Sequence, residues 1–246
     1  MTALSALTER MLLGTLRDLD LPMAIIVPVV TFVGFNAVLR HMIDTGGMSY
    51  PQYVLPVVVV QAMLLGALTT ADRAARDQWA FGVRLRTMPI SAFTPLAARM
   101  SYCLLRGVLA IAASLAVAYP FGFRMSGGPG YAVAFVVMAL ALTLALSMGA
   151  DATGTRIKRG EASSQLLLVP QLLLVVLSTG LAPADSFPDW LHGFVTYQPV
   201  SQITETLRGF ALGEVDAANL TASVAWCLGL LVLFGAIALR MQRRPE

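Results

Sequence analysis

Few side chains in this sequence are of a type that performs chemistry, and their spacing excludes most of it. The only lysine, Lys158, stands between Ile157 and Arg159, so the GxxxxGK-Ser/Thr loop that cradles a nucleotide phosphate is missing. His41 and His192 fall between apolar runs, where a histidine is more often interfacial or solvated than a ligand. Cys103 and Cys227 lie in or beside apolar runs without a Cys or His at metal-ligand spacing, which supports neither a disulfide framework nor a zinc site. No run contains a Ser/His/Asp set, an HExxH element or paired carboxylates, so an intramembrane hydrolase lacks its nucleophile and base. No acidic residue lies securely inside an apolar run, which leaves a proton relay without evident members. The expectation is a chain with no catalytic or metal-ligating residues, whose energy, if it uses any, comes from another subunit.

The elements that must position these residues follow from composition. Of 246 residues, 57% are hydrophobic and 13% charged, against about 45–50% and about 25% in soluble domains. A water-soluble globule is excluded. The formal charge is +3, but the basic residues are dealt into short runs between apolar segments rather than forming a stripe for nucleic acid. Crossing a hydrocarbon layer of about 30 Å takes about 20 apolar residues. Six segments approach this: Leu21 to Leu39, Tyr53 to Thr70, Cys103 to Phe121, Tyr131 to Ala150, Leu166 to Leu181 and Leu220 to Leu239. The first is longer than the apolar core of a cleaved signal, about 7–15 residues, and Asp18 and Asp20 precede it beside Arg17; an uncleaved anchor is expected.

Lys and Arg set the orientation of such spans. With the N-terminus inside, fourteen basic residues fall on the cytoplasmic side, and Arg40, Arg124 and Arg208 on the other. Six spans with both termini cytoplasmic are therefore expected. Tyr50, Tyr53, Tyr119, Tyr131 and Trp190 then fall near the outer interface, where amphipathic rings are favoured.

Four pieces lie outside the spans. Residues 1–20 carry Leu4, Leu7, Met11 and Leu12 at helical spacing and read as an amphipathic helix on the inner interface. Residues 71–102 form a long cytoplasmic excursion in which Trp79, Phe81, Leu85 and Met88 stand among arginines. This is either a surface awaiting a partner or one resting on lipid headgroups. FGFRMSGGPG at 121–130 reads as a tight glycine-rich hairpin. Residues 182–218 are too long for a simple connection; Pro199 suits a helix start, and Val200, Ile203, Leu207 and Phe210 recur every three or four residues. Glu205 and Arg208 on that helix read as a weak, solvated pair. Arg106 has two readings. It lies near the midplane if the third span starts near Pro95, or at the inner interface if the span starts near Cys103. Counting inward from Arg124 favours the second.

The order of these parts resembles the type-2 permeases of ATP-binding-cassette (ABC) exporters. LRTMPISAFTPLAAR at 85–99, FGFRMSGG at 121–128, STGLAPADSFPDWLHGFVTYQPVS at 178–201 and LRGFALG at 207–213 are similar to the daunorubicin-resistance branch, which includes actinobacterial drug and complex-lipid exporters. The proline-bearing elements Met88-Pro89, Pro188 to Trp190 and Gln198-Pro199-Val200 carry most of the likeness. Before Met-Pro the family commonly has an acidic residue and a glycine; here Asp77 and Ala80 are nearest, with Gly82 displaced.

The resemblance implies an all-α polytopic membrane protein: one permease domain over residues 1–246, with an interfacial helix, six transmembrane helices, a cytoplasmic coupling helix between the second and third, and outer amphipathic or re-entrant helices between the fifth and sixth. It implies two permeases, copies or paralogues, side by side in the cell membrane, each over an ABC ATPase that holds the ATP and magnesium. This chain itself would hold no cofactor. Trp79, Phe81, Arg84, Leu85, Arg86, Met88 and Pro89 would couple to the ATPase. The cargo would be a small hydrophobic or amphipathic drug or lipid leaving through a cavity lined by the first, second and fifth spans. The polar residues there are Thr31, Asn36, Gln61, Gln171, Ser178 and Thr179, any of which could equally be a packing hydrogen bond worth about 0.6 kcal/mol. Trp190, Pro199, Ile203, Leu207 and Phe210 would form an outer gate. A secondary carrier or a non-transporting scaffold are the alternatives.

Overall fold

The computed structural model describes residues 20–43, 47–87, 94–157 and 160–243, with the side chains of all but 78–87, 157, 160–163 and 242–243. The expected helix over residues 1–20 therefore lies outside the described residues except for Asp20, as do Met88 and Pro89. The described chain is helical: α1 Asp20–Val38, α2 Tyr50–Thr87, α3 Thr94–Ala118, α4 Gly128–Ile157, α5 Gly160–Val176, a 3-10 turn at Ala184–Ser186, α6 Asp189–Tyr197, α7 Pro199–Leu212 and α8 Ala217–Arg243. The Val57–Val60 run, strand-prone in water, is helical here. Lipid offers no partner to an exposed backbone group, so a spanning segment must satisfy its own.

Five helices, α1, α2, α3, α4 and α8, are long and apolar enough to cross a membrane. Ile25, Ile26 and Val30 on α1, Leu105 and Val108 on α3, and Val232 and Leu233 on α8 present exposed apolar side chains. The protein is a multi-pass membrane protein. Within their spanning windows α1 and α8 are only 22% and 17% buried while α2 is 67% buried, so the bundle is built around α2. The fifth expected run forms a shorter helix, ending at Val176 rather than Leu181. The unwound residues after it are bound from elsewhere: Gln198 Nε2 donates to Leu177 O, and Tyr53 Oη donates to Thr179 O at 2.8 Å.

Two boundaries differ from the sequence reading. The second span does not stop at Thr70. Its helix continues to Thr87, because ADRAARDQWAFGVRLRT contains good helix formers and no proline. At about 1.5 Å per residue, its 38 residues reach about 57 Å, far more than the hydrocarbon layer. The third helix begins at Thr94 rather than Cys103, which settles the position of Arg106 in mid-helix, nine-tenths buried.

The segment between α5 and α8 is folded. Pro199 occupies the first turn of α7, and Gly213, at φ +82, ends it with its N–H on Gly209 O. Val200, Ile203, Leu207 and Phe210 are buried in the main core with Val54, Val57 and Val58 of α2. The hairpin is more than a turn. Ser126 donates from its N–H to Ala211 O at 2.9 Å, and Gln52 exchanges two hydrogen bonds with the Arg124 backbone. A Cβ added at Gly213 would lie 2.7 Å from Gly127 Cα, in a conformation that disfavours any side chain. Gly213→Ala is thus expected to cost about 1–3 kcal/mol, seen as a lowered thermal midpoint of the purified protein; an unchanged midpoint would refute this hairpin clamp. Tyr119, Tyr131 and Trp190 are exposed as expected of interfacial rings, whereas Tyr50 and Tyr53 are buried.

Candidate translocation site

The central helix is asymmetric along its length. From Tyr50 to Val60 every residue of α2 is buried, but from Gln61 onward one face opens: Gln61, Leu65, Leu68 and Asp72 are partly exposed and Arg76 is exposed. Their spacing of three and four places them on one stripe. Leu65, Gly66 and Thr69 of this region, with Met23 and Val27 of α1 and Arg106 of α3, line a crevice of about 40 Å³. The central helix is thus fully packed at the hairpin end, where the bundle's larger cavity lies beside it against α1, and is open along one face toward the end that carries Arg73, Arg76 and Arg99.

The hairpin end is tied by buried polar groups. Arg208 of α7 forms an ion pair with Glu205 at 2.7 Å, donates to Tyr53 O at 3.1 Å and lies over the Tyr53 ring at 3.9 Å. The arginine of the pair read as solvated is therefore built into the core, only 6% exposed, while Glu205 stays partly exposed. Thr179 N–H donates to Ser201 Oγ at 3.1 Å, and Thr206 and Ser223 hydroxyls meet at 2.7 Å, joining α7 to α8.

At the opposite end, two charged clusters cross-link helices. Arg99 of α3 pairs through Nε with Asp151 of α4 at 2.5 Å and faces Asp77 of α2 at 3.7 Å. Asp20 of α1 takes Arg73 at 2.9 Å and Tyr102 Oη at 3.2 Å, while Arg106 approaches it at 3.7 Å and donates to Thr69 Oγ1 at 2.6 Å. Asp20 and Asp151 were missed in the sequence because each stands one residue outside an apolar run, and Asp77 because it lies seven residues beyond one. A helix continuing past the run was the only available signal. Asp20 and Asp151 are each engaged by arginine.

The six expected pathway residues do not converge. Thr31 is partly exposed on α1, and Asn36 is buried beside a cavity of about 320 Å³ that Arg40, His41 and Tyr50 also line. Gln61 and Gln171, on the packed pair α2 and α5, each keep a buried Oε1 without a hydrogen-bond partner among the described residues, as does Thr179 Oγ1. Ser178 Oγ donates to Val175 O at 2.7 Å and is fully buried. Of the gate residues, Ile203, Leu207 and Phe210 share the core cluster, Pro199 starts α7, and Trp190 is 80% exposed on α6. Trp79, Phe81, Arg84, Leu85 and Arg86 lie on the helical continuation of α2, with side chains outside the described set.

This architecture can be set beside known proteins. The family model for ABC-2 type transporters matches residues 2–212. The chain is 37% identical over 203 residues to the doxorubicin resistance ABC transporter permease protein DrrB of Mycobacterium tuberculosis, covering 79% of this chain and 70% of that protein. It is 26% identical over 234 residues to the probable doxorubicin resistance permease protein DrrC of the same organism, covering 92% and 83%. It is 22% identical over 227 residues to the daunorubicin resistance permease protein DrrB1 of Streptomyces coeruleorubidus, covering 90% and 79%. A bundle of spanning helices around one central helix is the body of a membrane permease, and the chain belongs to the ABC-2 type transporter family.

Proposed function

We propose that this chain is the membrane subunit of an exporter driven by a separate ABC ATPase, working with a second copy or a paralogous permease. The observation that carries the reading is the asymmetry of α2, closed from Tyr50 to Val60 and open along one face from Gln61. Such a bundle receives cargo from the indented end and holds the far end shut. Both termini and the Arg73 to Arg99 end face the cytoplasm in this reading, as the distribution of basic residues favours. The ATPase docks through Trp79, Phe81, Arg84, Leu85 and Arg86 on the continuation of α2, together with Met88 and Pro89 of the sequence that follows. Because α2 is one helix, movement at Thr87 is delivered to Tyr53, which α7 grips through Arg208. Opening requires loss of hydrogen bonds made by Tyr53, Gln198, Ser201 and Arg208, at about 1 kcal/mol each, so it needs work from outside the bundle. ATP and magnesium belong to the partner.

Cargo is apolar or amphipathic, since the open face of α2 presents Gln61, Leu65 and Leu68 before its first charge at Asp72. Doxorubicin and daunorubicin, named for the relatives, are the first compounds to test. Ile203, Leu207 and Phe210 form the gate, with Trp190 at the membrane interface.

Leu85→Asp with Met88→Asp tests the docking. Burying two new charges at a desolvated contact is expected to weaken ATPase retention by several kcal/mol, measured as loss of the co-purified ATPase and of cargo-stimulated hydrolysis while the permease still inserts. Full retention of ATPase and transport would overturn the docking assignment.

A further inference from the structure

Arg106 is a buried cation with an unspent donor. It stands twelve residues into the 25-residue α3, about 18 Å from the start of that helix, where a charge is costly and marks function. Its Nη1 donates to Thr69 Oγ1, but its buried Nε has no hydrogen-bond partner among the described residues. The nearest carboxylate is already engaged. Asp20 Oδ2 receives Arg73 Nε at 3.1 Å and Tyr102 Oη at 3.2 Å, and Arg106 comes only to 3.7 Å of Oδ1. Asp20 is thus shared between Arg73 and Arg106, and the Arg106 Nε hydrogen is left without an acceptor among the described residues at the crevice wall. The rest of that wall is mostly apolar, with Met23 and Val27 on α1, Ala62 and Leu65 on α2, and Ala110 on α3.

We propose that this crevice binds an acidic amphiphile, whose phosphate or carboxylate oxygen accepts from Arg106 and whose hydrophobic part lies along Met23, Val27 and Leu65. A cationic headgroup would be repelled, and a small free anion would leave the apolar wall uncovered. Membrane phospholipid and single-chain acidic compounds share this chemistry. The site is independent of the ATPase reading, because it requires binding alone.

The test uses the full chain, delipidated in a neutral detergent and titrated by native mass spectrometry with dioleoyl phosphatidylglycerol, dioleoyl phosphatidylcholine, dodecyl phosphate and inorganic phosphate. Phosphatidylglycerol is expected to bind at least about tenfold more tightly than phosphatidylcholine, whose phosphate offers the same acceptor but carries a quaternary ammonium beside it that Arg106 repels. Inorganic phosphate at equal concentration should not displace it. Arg106→Gln should lower phosphatidylglycerol affinity about tenfold. Val27→Trp, at a partly exposed position of α1, fills the crevice without touching a charge and should also weaken binding; it decides the matter if Arg106→Gln fails to fold. Binding of dodecyl phosphate as well as phosphatidylglycerol identifies acidic amphiphiles in general, and binding of phosphatidylglycerol alone identifies the glycerolipid; either supports the site. Equal affinity for the two phospholipids, displacement by inorganic phosphate, or unaltered binding by Val27→Trp overturns it.

Discussion

Asp151→Leu is expected to destabilise the permease by about 3–5 kcal/mol, the cost of leaving one member of a buried ion pair without its partner. Asp151 is 1% exposed, and Arg99, which faces it, is 7% exposed. Asp77 stands 3.7 Å from Arg99, so part of the lost compensation is recovered there, and the lower end of the range is expected. The site cannot relax by drawing α4 away, because α2 and α4 are in close contact beside it: a Cβ on Gly154 would overlap Ala71 O at 2.1 Å. The double variant Arg99→Met, Asp151→Leu removes both charges and should return to within about 1 kcal/mol of the parent, as replaced buried pairs commonly do. Thermal unfolding of the purified proteins in detergent reads both values. A single variant as stable as the parent would show that the pair contributes nothing to the fold.

The two ends of the molecule were legible in the sequence to different degrees. Apolar runs declare themselves because lipid demands about 20 consecutive apolar residues, and five of the six became helices of spanning length. The α7 stripe was equally plain, since Val200, Ile203, Leu207 and Phe210 keep helical period after a proline start. The fifth run was apolar through Leu181, yet its helix stops at Val176. Periodicity alone cannot show that Tyr53 and Gln198, distant in the chain, satisfy the backbone of an unwound end.

Burial of charge was the least legible property. Glu205 and Arg208 have the spacing of a surface pair, and only the approach of Tyr53, 155 residues away along the chain, makes the arginine part of the core. Arg99 and Asp151 are separated by 52 residues. Each looked like a flanking charge at the end of an apolar run. The continuity of α2 through Thr87 was readable in principle, because no proline intervenes between Pro56 and Pro89. Counting hydropathy ends a span where charges begin, whereas a helix ends where its backbone loses partners.

The contact between Thr206 and Ser223 offers a direct lock on the shut end. Their hydroxyls are 2.7 Å apart, and both residues are buried. Cysteines at these two positions are placed to form a disulfide, in a background carrying Cys103→Ser and Cys227→Ala. If α7 must move against α8 for cargo to leave, oxidation should suppress export at least about tenfold, equivalent to about 1.4 kcal/mol or more on the limiting step. Reduction should restore it, and the ATPase should stay attached throughout. The decisive measurement is cargo export from proteoliposomes containing the cysteine pair and the co-purified ATPase, before and after oxidation. The account predicts a reversible loss of export on oxidation; export continuing at the reduced rate in fully cross-linked protein would contradict it.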